Sequence, residues 1–395
     1  MIWLAVPAIA SAAYWLLVIV AARFRAVQLT GESACPTPSR KAVPAGGAGA
    51  FACQPLSSRL FSERGVSILK PVHGRDPHFY EAIRSHAVQD YPQYEILFGI
   101  GDPEDPAAQD IRRLIAEFPE RSIRLIAAHT KLPNGKVGVL VDLAAEARYP
   151  LLLVNDSDIR VPRDYLRQVT ATLEQPQTGL VTCLYRAQSD RWPGRWEALG
   201  VATEFVPSVL VARMLGSGEF ALGSTLLLRA EDLRRIGGFA AIGDYLADDY
   251  QLGRRIRDLG LRIAFAPTVV ETHLAGDSWR QVWRHQLRWS RTIRISRPGG
   301  YCGYLVTHAT FWSLVAFAAG AWPAGVAALL IRVAAGIWVG RGVLHDSSVA
   351  RYACLIPFRD LWGFAIWLCG LFGTTVEWRG IRLKITSDGK IITDL

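Results

Sequence analysis

Apolar residues along this chain form two patterns. Long uncharged stretches lie near both ends, and between them short continuous apolar runs alternate with segments in which apolar residues recur at helical spacing. Residues 2–22 carry no charge, and a helix needs about 20 apolar residues to cross the hydrocarbon core of a membrane. Arg23 and Arg25 follow directly. A signal peptide normally carries its positive charge before a shorter apolar core, so we expect residues 1–25 to be an uncleaved transmembrane anchor. The positive-inside tendency then places the next domain in the cytoplasm.

Residues 298–377 are predicted to hold C-terminal membrane helices. They contain apolar stretches at 305–323, 324–340 and 361–376, and we expect two or three of these to span the bilayer. If all three span, the basic tail at 378–395 lies outside the cytoplasm, which conflicts with the positive-inside tendency. A segment that lies in the interface or re-enters the membrane is then the alternative, and the number of spans stays open.

Between the apolar ends the pattern predicts one folded domain. Residues 26–64 are rich in Pro, Gly, Ala and Ser, which is typical of a flexible linker. Over residues 65–297 short apolar runs, typical of strands, alternate with segments that have helical spacing of apolar residues. This alternation predicts a doubly wound α/β sheet of mostly parallel strands. Strands are expected from Val66 and Tyr94 and at 122–127 and 151–154, and helices at 76–88, 107–118 and 136–147.

Carboxylates follow two of the predicted strands at the point where each strand ends. Asp102 comes after YEILFGI, and Asp156 and Asp158 come after LLLV. In open α/β sheets ligands bind beyond the carboxyl ends of the strands, and an Asp-x-Asp pair there can hold a divalent cation against a diphosphate. Asp is also common in turns and helix caps, so these residues alone are weak evidence for a sugar-nucleotide site.

Two further motifs add to this pattern. Asp248 and Asp249 precede the helical segment YQLGRRIRDLG, and Arg288 and Trp289 lie in HQLRWSRTIR. Each has a structural alternative: a helix N-cap for the aspartates, and a basic amphipathic helix near a membrane for HQLRWSRTIR. Together with the strand-end carboxylates, they indicate one active site far more specifically than any single motif does.

Composition narrows the class of partner. The chain is 50 % hydrophobic and 20 % charged, which is rich in apolar residues for a soluble protein, and its net charge is +9. The sequence contains no aromatic-basic nucleic-acid motif, so we predict no nucleic-acid partner and assign the charge to contact with an anionic membrane surface. The six cysteines show neither C-x-x-C pairing nor zinc spacing, so neither a disulfide framework nor a zinc knuckle is indicated.

The carboxylates, in order and followed by HQLRW, resemble the D, D, D, (Q/R)xxRW pattern of membrane-bound inverting glycosyltransferases of the GT-A fold. The segments VSILKPVHGRDP, QDYPQYEILFGIGDPEDPA, GGFAAIGDYLADDY and TVEWRGIRLK are similar to the ceramide glucosyltransferase family. VTCLYR, PSVLVAR, GSTLLLR and GYCGYLVTH resemble its bacterial branch, the hopanoid-biosynthesis-associated glycosyltransferases. The resemblance implies a GT-A type doubly wound mixed sheet, with an N-terminal transmembrane helix and C-terminal transmembrane or interfacial helices, in an integral protein of the bacterial inner membrane.

The resemblance also implies roles for individual residues. Asp102 would accept a hydrogen bond from a uracil ring, and Asp249 would be the general base. Asp156 and Asp158 would hold Mg²⁺ or Mn²⁺. Arg288 would complement the charge of the diphosphate. Further nucleotide-sugar contacts are expected from Lys136, Asp156 and Trp289, and acceptor-side positions from Gly223, Ser224, Thr225, Asp248 and His285.

Several of these positions have a structural alternative. His285 replaces the first residue of (Q/R)xxRW and need not be charged at neutral pH, so its role is open. Lys136 could be a solvated lysine at a helix start, and the motif at 223–225 could be a tight strand entry. His273 in VVETHLAG is a candidate additional metal ligand, with a plain loop histidine as the alternative. The apolar segment 196–215 is interpreted as an interfacial helix, with a buried core segment as the alternative.

The resemblance thus implies an enzyme, a hexosyltransferase that moves N-acetylglucosamine or glucose from a UDP-sugar to a hydroxyl of a membrane lipid with inversion. A hopanoid polyol is the favoured acceptor, and ceramide is the alternative. A processive polysaccharide synthase shares the motifs but needs a secretion channel, for which three C-terminal apolar segments are few. A non-catalytic lipid-binding scaffold would be expected to have lost a carboxylate, and none is lost.

Overall fold

The structure, a computed structural model, describes residues 5–30, 64–217, 220–378 and 381–392. Its strands are β1 (Val66–Val72), β2 (Tyr94–Ile100), β3 (Ser122–Ala127), β4 (Leu151–Val154), β5 (Ile159–Arg160), β6 (Thr178–Gln188), β7 (Leu226–Arg229), β8 (Arg262–His273), β9 (Thr375–Trp378), β10 (Ile381–Ile385) and β11 (Ile391–Ile392). Eight of them form one mixed sheet in the order β3-β2-β1-β4-β7-β6-β8-β5, and β9, β10 and β11 form a separate small sheet.

The large sheet is parallel on one side of β7 and mixed on the other. β1 pairs in parallel with β2 and β4, β2 with β3, and β6 with β8. β7 runs antiparallel to both β4 and β6, and β5 runs antiparallel to β8. Val72 lies opposite Ile100, and Leu69 lies opposite Val154. The loops that follow β1, β2 and β4 therefore meet at one edge of the sheet, where ligands of such sheets bind.

Helices lie on both faces of this sheet, and further helices lie before and after the sheet in the chain. They are α1 (Val6–Thr30), α2 (Phe79–Ala87), α3 (Ala107–Glu117), α4 (Gly135–Glu146), α5 (Tyr165–Leu173), α6 (Trp192–Gly200), α7 (Val206–Met214), α8 (Ala230–Arg235), α9 (Asp248–Asp258), α10 (Trp279–Ser296), α11 (Pro298–Gly303), α12 (Ala309–Ala318), α13 (Trp322–Trp338), α14 (Ser348–Arg351) and α15 (Ile356–Gly370). π-Helical turns at Val201–Phe205 and Val339–Val343 follow α6 and α13.

Burial on both faces explains why the central strands are continuous apolar runs in the sequence. β1, β2 and β4 are buried at every residue. On one face α2, α3 and α5 pack through side chains such as Ile83, Ile111 and Leu166. On the other face α4 and α9 pack through Leu140 and Ile256. The α/β class and the mixed sheet predicted from the sequence are confirmed.

The predicted elements lie close to the observed ones. The strands expected at 122–127 and 151–154 are β3 and β4, and the helices expected at 107–118 and 136–147 are α3 and α4, displaced by one residue at most. The helix expected at 76–88 is shorter, because His78 adopts a left-handed backbone conformation with φ 56° and α2 begins after it.

In the described part of the chain, three helices are long and apolar enough to cross a membrane: Val6–Arg25, Trp322–Val343 and Ala353–Gly370. The stretch expected at 305–323 instead forms α12, whose 10 residues are too few to span. The predicted C-terminal end of the stretch at 361–376 is wrong, because α15 stops at Gly370 and β9 begins at Thr375. Residues 298–377 therefore provide two candidate spans.

The N-terminal helix is longer than the predicted anchor and packs against the C-terminal helices. α1 continues through Thr30, past the expected start of the linker at residue 26, and residues 31–63 of that linker lie outside the described residues. The guanidinium of Arg332 lies 4.0 Å from the centre of the Trp15 ring, and its Nε is 3.2 Å from Asp360 Oδ1. Both members of this ion pair are buried, so the charge within a candidate span has a partner.

The segment 196–215 is helical, as predicted, and lies between the sheet and the candidate spans. α6, the π-helical turn and α7 run through it without a break. Val206 of α7 is buried in one apolar cluster with Trp15 of α1, Ala335 of α13 and Leu184 of β6. This cluster joins the membrane helices to the sheet.

The C-terminal tail returns to the large domain. The amide of Leu246 donates to the carbonyl of Gly389 at 3.2 Å, and the amide of Ile391 donates to the carbonyl of Asp244 at 2.7 Å. Arg284 of α10 pairs with Glu377 of β9 at 2.7 Å. The tail is therefore on the same side as the large sheet, which requires an even number of membrane crossings between them. The two candidate spans meet this requirement.

Replacing Ile385 with Ala should loosen this attachment. Ile385 is 2 % exposed and packs with Leu246, Val376 and Ile391, and truncation of a buried isoleucine typically costs about 2–5 kcal/mol. We expect faster hydrogen exchange of the Leu246 and Ile391 amides by mass spectrometry. Ile381→Ala is the matched control, because Ile381 is 63 % exposed. Equal exchange in the two variants would contradict the proposed attachment.

Candidate functional site

Three carboxylates and one lysine meet at the edge of the sheet where β4 ends. Lys136 Nζ lies 2.7 Å from Asp156 Oδ1 and 3.2 Å from Asp248 Oδ2. Asp156 follows β4, Lys136 lies in the first turn of α4, and Asp248 and Asp249 open α9. Lys136 thus bridges two of the predicted site residues and is not a solvated lysine.

The N-terminus of α4 is fixed to the loop before α9 by one side chain. The side chain of Asn134 caps α4 by accepting a hydrogen bond from the amide of Val137 at 3.3 Å, and its Nδ2 donates to the carbonyl of Tyr245 at 2.8 Å. The Asn134 amide also donates to the carbonyl of Gly243 at 2.8 Å. These bonds set the distance between Lys136 and Asp248.

Gly223 lies between two of the predicted site carboxylates, the proposed base Asp249 and the proposed metal ligand Asp156. Its amide donates to Asp249 Oδ2 at 3.0 Å. A Cβ atom at this position would lie 3.4 Å from both Asp156 Oδ2 and Asp249 Oδ2. Asp156 and Asp249, which are far apart in the sequence, therefore face the same small space.

The charges in this cluster shift one another's pKa values. Burial, together with the neighbouring Asp248 carboxylate, raises the pKa of Asp249 to about 6. Burial opposes the charge of Lys136, but Asp156 and Asp248 raise the pKa of its ammonium above the ordinary value. Lys136 is therefore held as a cation, while Asp249 is an unusually basic carboxylate able to accept a proton near neutral pH.

Asp158 lies two residues after Asp156, just before β5. Its carboxylate accepts a hydrogen bond from the Thr272 hydroxyl. Burial, together with the charge of Asp156, raises the pKa of Asp158 to about 6. A hard divalent cation would relieve this repulsion through carboxylate oxygens, so the donor set fits Mg²⁺ or Mn²⁺.

Lys70 is a site residue that sequence reasoning missed. It lies in β1 and donates to the backbone carbonyl of Asp156 at 3.1 Å. Burial lowers the pKa of Lys70 to about 7, although Asp158 and Asp156 oppose the shift. The signal for it was present: a lysine inside the buried apolar run VSILKPV needs a polar partner, and the carboxyl edge of the sheet provides one.

Asp102 lies at the same edge of the sheet, beyond the end of β2. Its carboxylate is exposed to solvent and accepts a hydrogen bond from the Glu104 amide at 3.0 Å. β1 separates β2 from β4. Asp102 therefore shares the edge with Asp156, at a distance of two strands, and also stabilises its own turn.

Ser224 and Thr225 form the turn that leads into β7, and their hydroxyls are engaged in the core. Ser224 Oγ donates to a backbone carbonyl of β6 at 3.2 Å, and Thr225 Oγ1 lies 3.0 Å from the hydroxyl of Tyr165. Asn155 Nδ2 donates to the carbonyl of Ser224 at 2.7 Å. These bonds agree with the structural alternative given for residues 223–225, a tight turn at the entry to a strand. Of the three residues predicted on the acceptor side, Gly223 is the one placed against the carboxylates.

The HQLRW motif lies on α10 and faces α6. His285 Nδ1 lies 2.6 Å from Glu197 Oε1, and the His285 ring packs on Trp289 with 4.6 Å between centroids. Arg288 lies on the same helix, one turn after His285. Trp289 also packs against Phe205 of the π-helical turn at 5.9 Å. Sequence reasoning missed Glu197, because one carboxylate in an apolar segment gives no motif.

Tyr185 extends the aromatic contacts of this motif towards β6. It lies in β6, and its ring packs against Phe205 with 5.6 Å between centroids. Burial, and then the negative charges of Glu197 and Asp249, raise the pKa of the Tyr185 hydroxyl. The Tyr185 hydroxyl is therefore neutral.

A largely apolar chamber opens beside Trp289, between α6, α10 and α15. We call it the membrane-side chamber. It encloses about 760 Å³ of empty space including its opening to solvent. Its apolar and aromatic walls are Val201, Phe205, Trp289, Ile293, Tyr301, Tyr304, Ile366 and Trp367. α15 lies within a candidate span, so the chamber lies between Trp289, one of the predicted site residues, and the membrane helices.

Three polar side chains in this chamber each have one buried atom without a hydrogen-bond partner in the described part of the chain. Among the described residues, Glu204 Oε1, Gln286 Nε2 and His308 Nε2 form no hydrogen bond, and all three residues line the chamber. A buried polar atom without a partner is costly, typically by about 1–3 kcal/mol. The chamber is therefore suited to a ligand that carries both apolar surface and hydroxyl groups.

His273 lies at the end of β8 and is grouped with two residues that the sequence did not connect to it. Its Nε2 lies 3.4 Å from Asp190 Oδ2, and its ring lies 4.1 Å from that of His78. Burial and the neighbouring His78 lower the pKa of His273. His78, Asp190 and His273 line one cavity, and Asp158 lines it too.

The sequence profile of glycosyl transferase family 21 matches residues 14–391 of the chain. Ceramide glucosyltransferase 3 of Caenorhabditis elegans is 29 % identical over 207 residues, which cover 51 % of this chain and 44 % of that protein. A ceramide glucosyltransferase of Candida albicans is 31 % identical over 122 residues, which cover 28 % of this chain and 22 % of that protein. The chain thus spans less than half the length of these curated relatives.

Among solved structures, a mannosyltransferase from Pyrobaculum calidifontis, in complex with GDP-Man and Mn²⁺, superposes with a TM-score of 0.51. The two proteins are 19 % identical, and the match covers 93 % of this chain and 97 % of that chain. At this identity the similarity concerns the fold. It confirms the GT-A type sheet predicted from the sequence.

Replacing Asn155 with Ala should destabilise the turn that presents Gly223. The change leaves the hydroxyl of Tyr165 and the carbonyl of Ser224 without their buried donor, so we expect the free energy of unfolding to fall by about 1–3 kcal/mol. The measurement is the shift of thermal unfolding in detergent. Gln109→Ala is the control, because Gln109 is exposed on α3. A stability equal to that of the control would contradict this role for Asn155.

Proposed function

Because the chain belongs to glycosyl transferase family 21, we propose that it is an inverting glycosyltransferase that moves a hexose from a UDP-sugar to a hydroxyl of a membrane lipid. One observation carries the proposal. Asp156 and Asp249 face the same space at Gly223, and Phe205 and Trp289 wall a largely apolar chamber at the membrane helices.

Asp249 is the proposed general base. Its Oδ2 accepts a hydrogen bond from the Gly223 amide, and its Oδ1 accepts one from the Tyr250 amide at 2.7 Å. These bonds fix the carboxylate in one orientation. The raised pKa of Asp249 brings its basicity closer to that of a group that removes a proton from an acceptor hydroxyl at neutral pH. Attack by that hydroxyl from the face opposite the diphosphate inverts the anomeric centre.

The donor is proposed to bind along the carboxyl edge of the sheet, from Asp102 to Asp156. Asp102 would accept a hydrogen bond from uracil, and Lys136 and Arg288 would complement the diphosphate. Asp156 and Asp158 would hold Mg²⁺ or Mn²⁺, which when bound supplies charge neutralisation at the departing diphosphate. Lys136 already neutralises Asp156 in part, so it also sets the orientation of that carboxylate.

The acceptor is proposed to enter through the membrane-side chamber. Its aromatic and aliphatic walls suit the apolar body of a lipid, and the buried groups of Glu204, Gln286 and His308 suit its hydroxyls. A lipid that stays partly in the bilayer need not be extracted to reach Asp249. A polymer-secreting synthase needs a pore as well, and the described residues provide two candidate spans after the domain.

Within this class we favour N-acetylglucosamine or glucose as the sugar and a hopanoid polyol as the acceptor. The support is the resemblance of VTCLYR, GSTLLLR and GYCGYLVTH to the hopanoid-associated branch, and several buried polar groups in the chamber suit a polyol. Ceramide is the alternative, which the names of the curated relatives favour.

The proposed location is the cytoplasmic side of the bacterial inner membrane. Arg23 and Arg25 follow the anchor, and such charges favour the cytoplasmic side. The return of the tail to the loop at Asp244 and Leu246 places the tail on that same side. The basic residues of the tail then obey the charge rule as well.

Release of UDP is the direct test of this function. Purified full-length protein in lipid nanodiscs, with Mg²⁺ or Mn²⁺, should release UDP from UDP-N-acetylglucosamine or UDP-glucose only when a hydroxylated lipid is added. Chelation of the metal should stop the release, and added metal should restore it. No release with any hopanoid polyol or ceramide would defeat the proposal, and a polymeric product would favour a polysaccharide synthase.

Asp249→Asn should abolish turnover while UDP-sugar affinity stays within about threefold, because the amide keeps the shape of the side chain but cannot take a proton. UDP release gives the rate, and isothermal titration gives the affinity. Asp258→Asn is the matched control, since Asp258 is exposed at the other end of α9. Turnover in the Asp249 variant that equals the control would remove Asp249 as the base.

Ile293→Trp tests the membrane-side chamber. A larger ring in its wall should raise KM for the lipid by about tenfold and leave KM for the UDP-sugar unchanged. Arg280→Trp, at an exposed position on the same helix, serves as the control. If both substrates show equal changes in KM, or neither does, the lipid binds elsewhere.

A further inference from the structure

We propose that the small C-terminal sheet of β9, β10 and β11 is a strap that positions the proposed base, Asp249, by holding the loop in front of α9. We call residues 243–247 the base loop. The residues of the strap act through this loop, so they are positioning residues rather than catalytic ones. This role rests on the proposed function, because Asp249 is a base only in that reaction.

The strap binds one edge of the base loop through the backbone. The amide of Leu246 donates to the carbonyl of Gly389 at 3.2 Å, and the amide of Ile391 donates to the carbonyl of Asp244 at 2.7 Å. Between these two bonds, Tyr245 and Lys390 form an antiparallel bridge. Hydrogen bonds on both sides of one residue pair fix the base loop in position and in direction.

The other edge of the base loop is bound to the start of α4. Asn134 Nδ2 donates to the carbonyl of Tyr245 at 2.8 Å, and the Asn134 amide donates to the carbonyl of Gly243 at 2.8 Å. Two residues later in the chain, Lys136 pairs with Asp248 at 3.2 Å. The base loop is therefore held between the strap and the helix start that carries the lysine of the site.

The base loop leads directly into the carboxylates. The amide of Gln251 donates to the carbonyl of Ala247 at 3.0 Å, which forms the first turn of α9. Ala247 and Asp248 alone separate Leu246 from Asp249, so a shift of Leu246 is passed on to Asp249. The position of Asp249 matters, because its Oδ2 accepts the hydrogen bond of the Gly223 amide at 3.0 Å.

The turn between β10 and β11 presents the strap to the base loop. The amide of Thr386 donates to the carbonyl of Lys390 at 2.9 Å, and the amide of Gly389 donates to the carbonyl of Thr386 at 3.1 Å. Gly389 has φ 91°, a conformation that glycine adopts more readily than other residues. Leu246 is buried in one apolar cluster with Ile391, so the contact has a core of its own.

The strap is in turn fixed to α10, the helix that carries the HQLRW motif. Arg284 of α10 pairs with Glu377 of β9 at 2.7 Å. Arg294 donates to the carbonyls of Leu371 and Gly373 at 2.7 and 2.5 Å, between the end of α15 and the start of β9. The strap therefore links a candidate membrane span and the motif helix to the base loop.

Ile391→Pro in the full-length protein tests this role. Proline has no amide hydrogen, so the bond to Asp244 is lost. We expect kcat for UDP release to fall at least about tenfold, because a misplacement of about 1 Å can cost about a hundredfold in rate. UDP-sugar affinity should stay within about threefold, since a loss confined to kcat marks an interaction needed only in the transition state. Ile381→Ala, at an exposed position of β10, is the control and should keep the wild-type kcat.

A disulfide across the bridge separates positioning from general stability. Cα atoms of such a non-hydrogen-bonded pair lie about 4.5 Å apart, within the range of about 4.4–6.8 Å that a disulfide spans. In the Ile391→Pro background, oxidised Tyr245→Cys with Lys390→Cys should recover most of the lost kcat, and reduction should remove the gain. Each single cysteine variant, oxidised in the same way, controls for the native cysteines at 302, 354 and 369, which are exposed.

A wild-type kcat in Ile391→Pro would overturn the proposal. So would an equal loss of UDP-sugar affinity, which would show a general disturbance of the domain, or a failure of the disulfide to restore kcat. If thermal unfolding shows that Ile391→Pro does not fold, Gly389→Ala, which strains the turn and keeps every amide, takes its place in the same comparison.

Hydrogen exchange distinguishes failure of the strap from failure of the proposed function. The Gln251 amide should exchange faster in Ile391→Pro and more slowly again once the disulfide forms, and this readout needs no substrate. UDP release by the wild type, with unchanged kcat and unchanged exchange in the variant, would defeat the strap alone. If the wild type releases no UDP, the proposed function fails, and the exchange of Gln251 then decides whether the strap holds the loop.

Discussion

The shared positive charge of Lys136 is the interaction on which the candidate site depends. Asp156 and Asp248 come from different elements, and Lys136 contacts both of them. Without a cation between them, the carboxylates gathered at this edge of the sheet would repel one another in a buried setting. The capping of α4 by Asn134, and its bonds to the loop before α9, hold the lysine in place. The start of α4 thereby organises carboxylates from the end of β4 and from the start of α9.

A second constraint is that the site must be joined to the membrane. The π-helical turn at Val201–Phe205 lies in the cluster that packs the N-terminal helix against the C-terminal ones. Phe205 of this turn contacts both Tyr185 and Trp289. The same short segment thus forms part of the membrane bundle and of the chamber wall. A segment that packs against the membrane helices must be apolar, which explains the apolar residues at 201–205.

Much of the fold could be predicted from the sequence, because its signals are local. Strands buried on both faces are continuous apolar runs, so β4 was predicted at its observed bounds. Membrane stretches were harder to delimit. Hydropathy does not mark where the chain leaves the bilayer, and the small sheet that begins at Thr375 was therefore assigned to a span. The grouping of Asp156, Asp248 and Asp249 was predicted as a motif, whereas Lys70, Tyr185 and Glu197 were not.

The sequence by itself determined the alternation of strands and helices, the carboxylates at strand ends and the apolar ends of the chain, since each of these depends on neighbouring residues. Only the tertiary structure decided which side chains meet. His285 contacts Glu197, His273 lies with His78 and Asp190, and Gly223 separates two carboxylates. These contacts join positions far apart in the chain, and their distances follow from how the helices pack on the sheet, which no local pattern encodes.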